Sequence, residues 1–464
     1  MDEREIELQG YLERDGKRVA ITAAYASRLS LFVNFNPGTE IQDGIEFDKL
    51  FLNISDEEVE FSKCRFISER AHRDFVGRLI FLDDVYDFEN IIFKKKFVNI
   101  STSFHNLPLV LSQKNWISDS FKNYTSRVVY DLAVYKYFFD DLDRKYANES
   151  HEVRRVAQEI LIEKEGRKFM RFFDSTLEEL EGEIANFDKK DHQHHGFYFR
   201  KQVWEFILGS EFLRRTNLKP RGYAGDSQMM IMCYENDYRG NFVFNKLMHK
   251  HPLETEAAHA VRNRRPLISQ VLRSVQKEFP GLPRWGFRFM SVASGSAVEL
   301  QDLLMTAEDF EAFHCTLLDQ DMRALNEAKE GIERIVRTRG IDTKVDYLNE
   351  SVRRMLRSPQ LSERWGQFHF IYSTGLFDYL TPPVAKIVLK KLYELLLPGG
   401  QLLIGNFHIN NPTRYYMEYW MDWVIYYRSE ETFLDLLEGI PGAECSIFFD
   451  PTGIQMFLSV RKSG

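Results

Sequence analysis

The ten residues Ser291–Leu300, S-V-A-S-G-S-A-V-E-L, constrain the fold more than any other stretch of the chain. An apolar run (Phe289, Met290, Val292) enters a turn of small residues, and the turn opens a helix carrying Glu299. A second apolar run, Cys315–Leu318, then ends at Asp319. Small residues let backbone approach a ligand closely, and an acid ending the next strand can accept both hydroxyls of a ribose. Strand, turn, helix and strand in this order predict a parallel crossover unit.

The pattern continues to the end of the chain. Apolar periodicity predicts strands at 288–293, 314–319, 343–348, 368–373, 400–407, 443–449 and 454–461, with helices at 297–305, 322–337, 383–396 and 429–438. The last two strands are separated only by Asp450–Gly453, D-P-T-G, which is too short for a parallel crossover. The expected fold class is therefore α/β: a Rossmann-like sheet with an antiparallel last strand. The turn at 293–296 is not G-x-G-x-x-G, and no pyrophosphate-cradling run follows it. Together with the antiparallel ending, this selects S-adenosylmethionine over a dinucleotide.

Ligands in such sheets sit at the carboxyl ends of the strands. Candidate cofactor residues there are Ala293, Ser294, Gly295 and Ser296 in the first turn, Glu299 behind it, and Asp319 with Gln320 after the second strand. Asn349, Glu350 and Ser351 follow the third strand, and Ser373, Gly375 and Phe377 follow the fourth. The L-P-G-G turn Leu397–Gly400 is expected just before the fifth strand, whose end carries His408, a candidate base for a hydroxyl or amine acceptor.

The rest of the 464 residues exceeds what one core organises, and 44% hydrophobic with 14% aromatic residues supports folded structure throughout. Three parts are expected: 1–108, 109–280 and 281–464. Residues 1–108 carry short alternating segments (Arg18–Ala23, Leu29–Phe35, Val59–Ser62, Phe75–Phe81) between turn signals, which predicts a small β-barrel or sandwich. From 109 to 280 the period becomes helical over Ile117–Asp140, His151–Lys164, Glu165–Asn186 and Gln202–Thr216. Asp188–His195, D-K-K-D-H-Q-H-H, reads as a polar loop, with no metal ligand set. Arg221–Asp226, R-G-Y-A-G-D, is either a capped helix start with an internal ion pair or a lid over the cofactor pocket. R-N-R-R at 262–265 is either a basic helix face or a source of guanidinium groups for an anion. Arg221, Tyr223, Arg262 and Arg264 are thus candidates for orienting a carboxylate. The aromatic run Tyr415, Tyr416, Tyr419, Trp420, Trp423, Tyr426, Tyr427 is either helix core or the lining of an apolar trough.

A net charge of −8 argues against nucleic-acid binding, and the four cysteines are scattered without C-x-x-C spacing. The acidic opening M-D-E-R-E-I-E does not read as a signal peptide, and no apolar run approaches the ~20 residues of a transmembrane segment. A cytoplasmic protein is expected, acting on a small-molecule or acyl substrate, with a homodimer left open.

Two resemblances add to this reading. Residues 1–108 resemble PilZ domains in element order and in F-V-G-R-L-I-F-L-D-D-V-Y-D, Phe75–Asp87. Their cyclic di-GMP motifs are not intact. The nearest arginine arm is Arg14 with Arg18, and S-R-L-S-L-F-V (Ser27–Val33) lacks the final glycine, which speaks against cyclic di-GMP binding. From about residue 115 onward the chain resembles the bacterial class I methyltransferases of extracellular-factor, 3-hydroxypalmitic acid methyl ester biosynthesis. The shared motifs are K-P-R-G-Y-A-G-D (Lys219–Asp226), A-V-R-N-R-R (Ala260–Arg265), V-A-S-G-S-A-V-E-L, L-L-D-Q-D (Leu317–Asp321), G-L-F-D-Y-L (Gly375–Leu380) and W-M-D-W-V-I-Y-Y-R (Trp420–Arg428). The resemblance implies methyl transfer from S-adenosylmethionine to a fatty-acid carboxylate. Another metabolite or protein acceptor, or a regulatory protein sensing S-adenosylmethionine or a nucleotide, are the alternatives.

Overall fold

The computed structural model describes residues 4–26, 31–35, 39, 41–54, 57–68, 77–83, 113–306, 310–358, 360–440 and 443–463. They form two compact units, 1–116 and 117–464. The expected boundary at 108/109 lies outside the described residues.

The first unit is antiparallel β structure: β1 (Arg4–Arg14), β2 (Lys17–Ala26), β3 (Leu31–Phe35), β4 (Glu46–Phe47), β5 (Lys49–Ile54), β6 (Glu57–Phe61), β7 (Cys64–Ser68) and β8 (Gly77–Phe81). The strand order is β4-β7-β8-β3-β2-β1-β5-β6. Because β4 runs into β5 across the single residue Asp48, the strand pairs with β7 at one end and β1 at the other, which closes a barrel. Leu12, Ile21, Val33, Leu50, Phe66 and Leu79 fill it. Asp15 (φ 50) and Gly16 (φ 72) make the left-handed turn of the β1–β2 hairpin. Arg14 and Arg18 flank that turn, Arg18 donating to Glu13 at 3.0 Å and lying 4.0 Å over the Tyr11 ring. Ser27–Ser30 and most of the Phe75–Asp87 tail beyond β8 lie outside the described residues.

In the second unit, helices Asp119–Lys145, His151–Leu161 and Arg167–Ile184 follow the expected periodicity. Two expectations fail for local reasons. Asp188–His195 is not a loop. Asp188 accepts from the amides of Lys190 and Asp191 in a capping box and opens helix Lys189–Gln202. The Nε2 of His195 accepts from the Ser118 amide (3.1 Å), and His192 meets the Tyr419 hydroxyl (3.0 Å). Nor is Gln202–Thr216 one helix: Ser210, extended at φ −95 and ψ 126, caps Glu211–Leu218 and separates it from Trp204–Gly209.

The α/β part is a seven-stranded sheet of β9 (Phe287–Val292), β10 (Phe313–Asp319), β11 (Lys344–Asn349), β12 (Phe368–Ser373), β13 (Leu396–Phe407), β14 (Glu444–Phe449) and β15 (Gln455–Arg461). Its order is β11-β10-β9-β12-β13-β15-β14, parallel except for β15, which runs antiparallel to both neighbours. This is the expected Rossmann-like sheet with an antiparallel final strand. Leu397–Gly400 is not a turn ahead of the strand but a kink within β13, with Gly399 at φ 75. Two short helices, Val352–Arg357 and Leu361–Trp365, were not foreseen, while Arg414–Trp420 meets the helix reading of the aromatic run. Among the described residues no helix is long and apolar enough to cross a membrane.

Helix Arg414–Trp420 ties the two halves of the second unit together. Trp420 is fully buried against Phe173 (4.8 Å between ring centroids) and Phe199 (4.9 Å). Tyr416 and Tyr419 enter the same core, so this part of the aromatic run is helix core and not a trough. Trp420→Ala should lower the unfolding free energy by about 3–5 kcal/mol in urea titrations, because the vacated space is lined by rings that cannot collapse into it. A loss under about 1 kcal/mol would mean that the two halves do not depend on this joint.

Candidate functional site

A cavity of ≈ 410 Å³ opens at the carboxyl ends of β9, β10 and β12, with residues of 221–264 forming its opposite wall. Its floor is the turn after β9. Ala293 (φ 56), Gly295 (φ 55) and Ala297 (φ 48) are all left-handed, alternating with Ser294 and Ser296. Such alternation turns successive amides to one side and makes a concave, anion-tolerant nest. The left-handed region disfavours a Cβ by roughly 1 kcal/mol or more per residue, so two alanines there record local strain. A Cβ on Gly295 would meet only ordinary van der Waals contact, with Ser227 Cβ at 3.7 Å.

Asp319 holds this turn in shape. One carboxylate oxygen accepts from the Gly295 amide (2.8 Å) and the other from the Asp321 amide (2.9 Å). The Gln320 amide also donates to this carboxylate, which keeps acceptor capacity for a ligand hydroxyl. Burial raises the pKa of the carboxyl, partly offset by these amides. Ser294 Oγ is buried with no hydrogen-bond partner, and Ser294 lines the cavity. Glu299, also lining, accepts from the Tyr372 hydroxyl (2.8 Å), and burial pushes its pKa up. Gln320 and Glu350 line the far side, the Glu350 carboxylate being held by Arg364 at 2.7 Å.

Of the sequence-expected cofactor residues, Ala293, Ser294, Gly295, Ser296, Glu299, Asp319, Gln320, Glu350 and Gly375 come together on the cavity wall. Four do not. Asn349 donates to the carbonyls of Asp319 and Gln320 (3.2 and 3.0 Å), and Ser351 caps helix Val352–Arg357. The hydroxyl of Ser373 points back to the Val292 carbonyl (2.8 Å), and Phe377 is buried in the core below.

The expected catalytic set divides in the same way. Arg221 and Tyr223 line the cavity, but Arg221 is already committed to Asp321 (3.0 Å), Glu327 and the Ser227 hydroxyl (2.8 Å). Arg262 does not reach the cavity, since it donates to the carbonyls of Cys233 (3.1 Å) and Leu253 (2.9 Å). His408 also lies off the cavity wall, paired with Glu430 at 3.1 Å. The expected helix cap of R-G-Y-A-G-D forms, but its internal ion pair does not, since Arg221 and Asp226 each pair outside the motif. Asp226 caps helix Ser227–Glu235 and pairs with Arg215 at 2.8 Å, while Arg221–Tyr223 and Gly225 wall the cavity. A Cβ on Gly225 would stand 2.4 Å from the Tyr379 hydroxyl and 2.5 Å from the Trp423 ring, so only glycine fits.

Sequence reasoning missed Asp378, Tyr379 and Met230. Trp423 Nε1 donates to the Tyr379 hydroxyl (2.8 Å), which leaves the tyrosine's own proton available to the cavity. Burial holds that hydroxyl protonated. Asp378 lines the cavity, is 6% exposed and accepts from the Phe407 amide at 2.8 Å. Burial lifts its pKa from the usual 3.8 to about 6. The signal was the acid inside the apolar G-L-F-D-Y-L. Of the aromatic run only Trp423 faces the cavity, beside Phe407, Met417 and Ile425.

No family model matches the chain, and no curated protein matches it. Solved structures overlap with it in part. A possible exported protein from Bordetella parapertussis is 17% identical, covering 61% of this chain and 90% of its own, with a TM-score of 0.41. Magnesium protoporphyrin IX methyltransferase from Synechocystis PCC 6803, with bound SAH, is 9% identical over 45% of this chain and 87% of its own, at a TM-score of 0.34. The N-methyltransferase NodS from Bradyrhizobium japonicum WM9, in complex with S-adenosyl-l-homocysteine, is 15% identical over 43% of this chain and 87% of its own, at 0.31. The strand order of the sheet, not these overlaps, carries the fold assignment.

The raised pKa of Asp378 has a measurable consequence. A carboxyl with a folded pKa above its unfolded value binds its proton more tightly when folded, so its contribution is favourable in acid and fades as pH rises through about 4 to 6. Relative to Asp378→Asn, which stays neutral, the wild type should lose roughly 3 kcal/mol of stability across that window. Urea midpoints for both proteins at stepped pH would show it, and parallel curves would mean that Asp378 does not titrate there.

Proposed function

We propose that this chain is an S-adenosylmethionine-dependent methyltransferase, and that its acceptor is the carboxylate of an acyl substrate of the 3-hydroxy fatty-acid class. The observation that carries the cofactor reading is the left-handed turn Ala293–Ala297 closed by Asp319, with the orphaned Ser294 Oγ beside it. A nest for a polar chain end, a carboxylate acceptor for a ribose hydroxyl and a buried hydroxyl needing a partner suit that cofactor. Ala293–Ser296, Asp319, Gln320 and Glu350 would hold it. When bound, the cofactor supplies an electrophilic methyl group on a sulfonium.

The chain's own residues then orient and dehydrate. Phe407, Met417, Trp423 and Ile425 keep water from the acceptor side. Tyr379, its oxygen already engaged by Trp423, offers its proton to an acceptor oxygen and fixes its approach. A carboxylate is ionised at neutral pH, so no strong base is required. The acyl reading is supported by the resemblance to the methyl ester biosynthesis family and by this apolar wall. Residues 109–280 act as the cap that completes the cavity, and residues 1–108 as a PilZ-like regulatory module.

Asp378 favours a second reading, a hydroxyl or amine acceptor, for which it would take the proton. The two differ in their pH profiles. With a hydroxyl or amine, kcat should fall as pH drops below about 6, the value to which burial lifts Asp378. With a carboxylate acceptor no such limb is expected until the acceptor itself protonates.

Calorimetry with S-adenosylhomocysteine tests the reading directly. The wild type should bind, and Asp319→Ala should weaken binding by about 1–3 kcal/mol. A wild type that does not bind would overturn the methyltransferase reading, and unchanged affinity in the variant would remove Asp319 from the ribose.

A further inference from the structure

We infer that Arg264 receives a ligand carboxylate at the inner end of the cavity. The inference rests on the methyltransferase reading only for the source of that carboxylate. Arg264 sits on helix Glu256–Lys277, lines the cavity and is 7% exposed. Its guanidinium donates to the Thr374 carbonyl (2.9 Å) and to Met230 Sδ (2.9 Å), and it meets the Tyr234 hydroxyl. Among the described residues no carboxylate stands within ion-pair distance of it.

The neighbouring arginines are ion-paired or lie off the cavity. Arg221 is held by Asp321 and Glu327, Arg215 by Asp226 and Arg265 by Asp302. Arg262 lies off the cavity, its Nη1 on the carbonyls of Cys233 and Leu253 and its Nη2 buried without a partner. A guanidinium cannot shed its proton, so a buried one without a contacting anion is a charge awaiting a partner. Nη1 and Nη2 carry two N–H groups each and spend one each on Thr374 and Met230, so donors remain for a carboxylate. Thr374 follows β12 directly, which places this cation beside Gly375, where β12 delivers the chain to the cavity. Glu299 and Asp378 act on Arg264 only from farther off, and neither forms an ion pair with it.

Two ligands could supply the carboxylate: the amino-acid end of the cofactor, or the acyl acceptor. Four probes separate them in calorimetric titrations of wild type, Arg264→Gln and Arg264→Lys. S-adenosylhomocysteine carries the α-carboxylate and methylthioadenosine lacks it. Decanoate carries an acyl carboxylate and decanol lacks it. Arg264→Gln should bind one of the carboxylates about tenfold to a hundredfold more weakly while its carboxylate-free counterpart is unaffected. Arg264→Lys should restore part of that loss, as a point charge without the planar fork. A selective loss for S-adenosylhomocysteine assigns Arg264 to the cofactor, and one for decanoate assigns it to the acceptor. Thermal melts of both variants establish that they fold. Equal losses for a carboxylate and its counterpart, or no loss for any probe, would overturn the inference. Wild-type binding of decanoate through Arg264, without binding of S-adenosylhomocysteine, would uphold it and overturn the methyltransferase reading. A wild type that takes up none of the four would overturn both.

Discussion

Strand β9 pairs in parallel with β10 on one side and β12 on the other, and the rest of the site depends on this arrangement. Neighbours on both sides of a parallel strand are reached by connections that leave in opposite directions, so the chain parts above its carboxyl end. The crevice is thus a consequence of topology and exists before any side chain is chosen. The turn after β9 must then reverse within a few residues while staying clear of the crevice. Three left-handed residues at 293, 295 and 297 achieve this, and Asp319 from the adjacent strand pins the middle one. The strain of the two alanines is tolerable because the Asp319 contact and the Ser294 amide bond to Leu318 over-determine the loop.

Electrostatics in the crevice run against stability. Asp319 and Asp378 are buried and Glu299 is half-buried, and desolvation pushes each pKa upward. A fold selected for stability alone would replace such groups with apolar residues of similar volume. Their cost is partly offset by backbone amides: Gly295 and Asp321 for Asp319, and Phe407 for Asp378. Fixed amides also hold the carboxylates in place, so a ligand meets acceptors that need no reorganisation. Concentration of unfavourable ionisation at one cavity is what distinguishes a binding site from a packed core.

How much of this was legible follows from period. Strands and helices of the sheet were readable because apolar spacing is set by backbone geometry, and the four residues of D-P-T-G forced an antiparallel ending. Side-chain direction within one turn was harder. Arg262 and Arg264 are two residues apart on a helix, hence about 200° apart around its axis. Only one could face the cavity, and R-N-R-R does not say which. Ser373 and Thr374 pose the same question at a strand end, where Ser373 turned inward to the Val292 carbonyl. Asp188 and Ser210 were misread because a polar residue is equally at home in a loop and at a helix N-cap. Asp378 was passed over because its apolar neighbours signal core, and its carboxyl is in fact nearly buried in one.

The cavity's two walls come from segments far apart in sequence, and their junction explains why R-G-Y-A-G-D is so closely specified. Asp226 binds Arg215, Lys219 binds Asp422 (2.6 Å), and Arg221 binds Asp321 and Glu327. The Lys219–Asp422 and Arg221–Asp321/Glu327 contacts cross from the helical segment to the α/β part ahead of Gly225, and Asp226 is held by Arg215 just after it. Between them Gly225 packs onto Tyr379 and Trp423 without room for a methyl group. The loop is therefore clamped at its ends by charge and at its centre by shape. A ligand touching both Tyr223 and Asp319 would add a further link across the same junction, so binding and docking of this loop must strengthen one another.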